Sequence, residues 1–145
     1  MEEGVRIEIN SAITVTNAFT NNGTVTVSDS GITITCGSIE NNGYLQNSGT
    51  LTFTGNLDVT NDATFTRDFT NEGTIKVSKN ATFSDMFTNK GNLSVIGDGT
   101  FSYEVNNSGT ISISNDANFN ASLINSGTIT CGSGDFTVTE YYSDT

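Results

Sequence analysis

Apolar and polar residues alternate along this chain in short bursts, each closed by two turn-forming positions. Residues 74–91 show the unit: TIKVSK, NATFSD and MFTNKG are three hexads with an apolar residue or Asn at the second and fourth places. A strand of about four residues turns two side chains to one face, and two corner residues then redirect the chain. Three hexads make an 18-residue coil, and at that stride columns appear. Phe65, Phe83, Phe101 and Phe119 form one; Ile75, Leu93, Ile111 and Ile129 form another. Asn71, Asn89, Asn107 and Asn125 make a third, and Gly55, Gly73, Gly91, Gly109 and Gly127 a fourth. A repeat at fixed period marks a solenoid. The reading is an all-β fold, a single-stranded parallel β-solenoid of triangular section with about seven coils of three hexads.

The hexads run without insertion from 44 to 133, inside a single domain spanning 1–145. Gly23 to Gly43 is two residues longer than a standard coil, which predicts a bulge or corner loop near Ser30 or Gly37. One extra residue follows Ser133. Ala63, Ala81, Gly99 and Ala117 precede the Phe column by two positions and offset the bulk of its rings. The Asn column can pass side-chain amide bonds from coil to coil. The Gly column is read as a corner needing positive φ.

Composition narrows the function. Pro is absent, as suits continuous ladders in which no strand can lose an amide donor. Net charge is −11 with only five Lys plus Arg, a poor match for nucleic acid or anionic lipid. No apolar run reaches membrane-spanning length, so no membrane insertion is expected. The acidic start MEEGVRIEIN does not resemble a secretory signal. The expected location is the cytoplasm, or the cell surface or exterior if a leader has been removed. Cys36 and Cys131 both occupy the apolar phase of TITCGS, about five coils apart and beyond disulfide reach.

Candidate chemistry is sparse. With no His, a Ser–His nucleophile is excluded. Asp58, Asp62 and Asp68 fall on different faces or corners, and no loop excursion builds a cleft around them. The expectation is no enzyme, no cofactor and no metal. Asp62, Asn80, Asp98 and Asp116 share a corner column, which is read as turn chemistry in preference to a Ca²⁺ site. The N-x-S/T sequons at Asn22, Asn80, Asn92, Asn106 and Asn120 follow from composition alone.

The texture of FTNNGTV (19–25) and FTNEGTI (69–75) resembles the Thr- and Asn-rich repeats of adhesin-like and filamentous haemagglutinin-type surface proteins. The short coil is similar, in shape only, to that of bactofilins, which polymerise end to end. These resemblances imply a structural, self-associating role as filament or surface fibre, or a piece of a larger adhesin. The partner is then a second copy, met through the coil ends: Val5, Ile7 and Ile9 at one, Phe136, Val138 and Tyr141 at the other. One face supports a different reading. Thr64 and Thr66, Thr82 and Ser84, and Thr100 and Ser102 flank the Phe column without a charge, and Thr14, Thr16, Thr33, Thr35, Thr137 and Thr139 extend the set. Parallel ranks of Thr resemble the ice-binding faces of insect-type antifreeze proteins.

Overall fold

The computed structural model describes residues 6–9, 11, 13–21, 24–27, 32–41, 45–47, 51–53, 55–140 and 142–144. Short strands follow one another round each coil, and each pairs in parallel with its equivalent one coil on. Ala63–Phe65 pairs with Ala81–Phe83, Phe69–Asn71 with Phe87–Asn89, and Thr74–Val77 with Asn92–Val95. The fold is a parallel β-solenoid with three faces. One face is an eight-stranded sheet that carries the Phe column. The other two join in a single thirteen-stranded sheet, because Ile13–Asn21 and Ile32–Asn41 each run round a corner.

Each face buries two columns. The Phe face sets Ala63, Ala81, Gly99 and Ala117 beside Phe65, Phe83, Phe101 and Phe119, all buried. The rings stack nearly parallel at 4.6, 4.9 and 4.6 Å, with planes 8°, 7° and 3° apart. Successive coils are therefore almost untwisted on this face, and stacked side chains are what hold a sheet flat against its natural twist. The aliphatic face buries Leu57, Ile75, Leu93 and Ile111 beside Val59, Val77, Val95 and Ile113. Side-chain sizes are matched across the interior. A Cβ on Gly99 would stand 2.5 Å from Cδ1 of Ile113, so the smallest residue of the Phe face meets, from the next coil, an Ile where the three earlier coils have Val.

The third face buries Phe69, Phe87, Val105 and Leu123 beside the Asn column. The side-chain amides of Asn71, Asn89 and Asn107 each donate to Oδ1 of the next Asn, at 2.8, 2.8 and 2.7 Å. Each also reaches a backbone carbonyl beyond the corner: Asn92, Thr110 and Thr128 respectively. Asn71, which has Phe53 on its other side in register, accepts the Gly73 N–H at Oδ1 instead. A buried amide is tolerated only when its donors and acceptor are satisfied, and a polar ladder achieves that in every coil it crosses.

The Gly column has a different cause from the one its sequence suggests. None of Gly73, Gly91, Gly109 and Gly127 has φ in the left-handed region. A Cβ on Gly91 would instead collide with the backbone oxygen of Gly73, and Gly73, Gly109 and Gly127 repeat the conflict one coil away. The corner keeps its hydrogen bonds through the turn: Asn92, Thr110 and Thr128 donate to the carbonyls of Gly73, Gly91 and Gly109. Glycine is required by the close approach of stacked backbones.

The early coils do not follow the texture of the late ones. Phe19 lies in register with Ile39, and Ile39 with Leu57, which sets residues 19–21 in register with the aliphatic face, whereas Phe69–Asn71 is on the Asn face. Between Val15 and Ala18 the pairing slips, with Thr16 and Asn17 opposite Gly37, so this bulge lies on the earlier strand and not in the long coil where one was predicted; Ser30 lies outside the described residues. The extra residue after Ser133 appears as the shift from Ile113↔Cys131 to Ala117↔Phe136.

Candidate functional site

Two surfaces answer to the functional expectations: the outside of the Phe face and the last coil. On the first, Thr64, Thr82 and Thr100 project outward from strands whose buried neighbours are Ala or Gly and Phe. They lie in direct register and are followed by Asn118 and Thr137. A second rank holds Thr66, Ser84, Ser102 and Asn120, and Ser84, Ser102 and Asn120 donate their backbone N–H to Phe65, Phe83 and Phe101 one coil back. The structure thus brings all six predicted face residues together. It does not bring the earlier threonines to them. Thr14 pairs with Thr35, and Thr33 with Thr52, which pairs in turn with Thr70, so these strands are in register with the Asn face and not with the Phe face. Thr16 falls in the bulge. The Thr64 rank runs back through Gln46 and Thr26 to Glu8, because residues 38–55 make one full coil of three hexads and so set Arg6–Ile9, not residues 13–16, in register with the Phe face.

At the last coil the interior opens. Phe136 takes the column of Ala117, and its ring, tilted by 51° at 5.5 Å, leans over Phe119. It remains 46% exposed, where Phe101 is at 0%. Ile129, Cys131 and Val138 are packed against the core but only partly buried. At the other end Ile9 is 5% exposed and belongs to the core, and among the described residues its strand Arg6–Ile9 is the last of the eight-stranded sheet. Ile7 lies on the same strand, in register with Val25. Val5 and Tyr141 lie outside the described residues.

The corner acids have a structural use. Oδ1 of Asp62 accepts the backbone N–H of Asn80, that of Asn80 accepts Asp98, that of Asp98 accepts Asp116, and that of Asp116 accepts Asp135. Each acid thus ties its corner to the next coil, the turn chemistry expected of Asp and Asn. Cys131 is a free thiol directed at backbone carbonyls, Asn115 at 3.0 Å among them.

No family model, no curated protein and no solved structure matches this chain. Sequence reasoning missed one feature of these surfaces, a notch beside Tyr103, because it forms only where Ala121 stacks between larger residues of neighbouring coils.

Proposed function

We propose that the chain is a structural, self-associating β-solenoid that stacks end to end into a filament or surface fibre. The observation that carries this reading is the open interior at the last coil, where Phe136 stands 46% exposed beside partly buried Ile129, Cys131 and Val138. A terminal coil also presents unpaired backbone donors and acceptors, a template for further strands. The first coil of a second copy answers both needs, and because the two joined surfaces differ, the contact does not close on itself. Residues 1–66 hold seven acids and one base, and residues 91–145 hold six acids and no base, so the joining ends repel. Salt screens that repulsion and lengthens the filaments. Negative-stain images at high salt test the reading: fibres one coil wide support it, and isolated particles at every concentration oppose it. A longer adhesin-type solenoid, in which neighbouring repeats replace the second copy, fits the same open coil.

A second reading rests on the flatness of the Phe face. Rings within 8° of parallel keep Thr64, Thr82 and Thr100 in line, so their hydroxyls and methyls repeat at the coil spacing without charge between them. Such a face suits ordered water and hence ice. Thermal hysteresis in the purified protein would support this reading, and its complete absence would end it.

A further inference from the structure

The corner joining the Phe face to the Asn face carries a lengthwise pattern. At one residue per coil it reads Arg67, Asp85, Tyr103, Ala121 and Glu140. Arg67 and Glu140 are exposed, and neither has an ion pair among the described residues. Tyr103 is 56% exposed. Because Ala121 is small, a notch of about 240 Å³ opens between Tyr103 and Glu140, lined also by Ser102, Glu104, Asn120 and Ser122. Glu104 accepts the Asn106 side-chain amide at one oxygen, at 2.7 Å, and with Glu140 it gives the notch two carboxylates, of which Glu140 is the more exposed. Charge is sorted along the rod to match: residues 67–90 hold four of the five cations, and residues 91–145 hold none.

We infer that this notch receives Arg67 of a second copy, in an antiparallel side-by-side pair. A two-fold axis crossing the corner midway between Asp85 and Tyr103 sets Arg67 of each copy against Ala121 of the other. The same operation places Asp85 of one copy opposite Tyr103 of the other, where the phenol can donate to the carboxylate. The contact is made twice, as a two-fold interface requires. In the notch the guanidinium lies against the Tyr103 ring and reaches the Glu140 carboxylate, a planar cation meeting an aromatic face and an acid together. Arg67 and Ala121 are three coils apart, about 14 Å at the spacing of paired strands. The low twist of the neighbouring face lets two corners run alongside over that distance. Lys90 is not available for the role, since Glu72 holds it at 3.0 Å.

This pairing is independent of end stacking and has the opposite response to salt, since screening weakens an attraction between unlike charges. Sedimentation equilibrium of the full chain carrying Phe136→Ser, which blunts the end contact, tests it at low salt. The expected result is a monomer–dimer equilibrium that shifts to monomer at high salt. Arg67→Glu and Glu140→Arg, each added singly, weaken the dimer about tenfold or more. Combining the two reversals restores it, because the pair is swapped and not lost. Ala121→Gln fills the notch and dissociates the dimer without changing charge. All four positions are on the surface, and unchanged melting checks that the fold is kept. A strictly monomeric chain at low salt overturns the inference, as do single reversals that leave association unchanged or a double reversal as weak as the singles.

Discussion

The side-chain amide of Asn89 donates to Oδ1 of Asn107 at 2.8 Å, in a column where both residues are buried. The same amide reaches the Thr110 carbonyl at 3.0 Å, while Oδ1 of Asn89 accepts from Asn71. One side chain therefore ties three coils together. No apolar residue of the same size can do this, and no carboxylate can both accept and donate.

Asn89→Leu is expected to lower stability by about 2–4 kcal/mol, because it removes the donor to Asn107 and the acceptor for Asn71 together. Asn89→Asp is expected to cost more at neutral pH. Burial raises the pKa of the new carboxyl in the folded state, so the variant is most stable below the unfolded carboxylate pKa and loses stability as pH rises through the folded one. Urea melts of both variants across the acid-to-neutral range check the order and the sign.

Gly91→Ala and Gly99→Ala should behave differently. At Gly91 the added methyl meets the backbone oxygen of Gly73, so a corner must move, at a cost of about 3 kcal/mol or more. At Gly99 its one severe conflict is with the end of Ile113, at 2.5 Å to Cδ1, with Cγ1 of the same side chain at 3.1 Å. Ile113→Val removes that atom and should recover much of the loss. A double-mutant cycle at 99 and 113 reads the coupling, which is expected to be favourable by about 1 kcal/mol or more.

The interior of the regular coils was legible because its stride never changes. Phe65, Phe83 and Phe101 recur at one spacing, and so do Asn71 and Asn89, so stacking like on like yields both columns. The early coils were not legible from texture. FTNNG at 19–23 reads like FTNEG at 69–73, yet its register follows Ile39 and Leu57, since any face accepts Phe, Ile or Leu. Residues 38–55 pair at a stride of 18 as one full coil of three hexads, so counting hexads in threes from the first strand puts every earlier hexad one face out, and that offset removed Thr14, Thr33 and Thr35 from the Thr64 rank. The glycine corners were found for the wrong reason: a fixed Gly signals special backbone geometry, and sequence alone does not separate a left-handed φ from a close backbone approach.

Phe83→Asp is expected to open the middle coils. Phe83 stacks on Phe65 and Phe101 and lies 4.2 Å from Phe87, so a carboxylate there is buried among rings with nothing to pair with. Loss of the single cooperative transition in circular dichroism is the expected result.

Thr82→Tyr separates the face from the fold. Thr82 is half-buried and points outward between Thr64 and Thr100, so a larger side chain there should leave melting unchanged. If the wild type shows thermal hysteresis, this variant should lose it.

End-to-end stacking is tested most directly by sedimentation velocity over a wide concentration range at high salt, where side-by-side pairing is screened. The wild type should give sedimentation coefficients that climb with concentration and reach no plateau. Ile9→Pro, which removes a ladder donor from the first coil, should stop near the monomer, and Thr82→Lys should assemble like the wild type. A wild-type chain sedimenting as one monomeric boundary at every concentration, or Ile9→Pro assembling as readily as the wild type, would contradict the account.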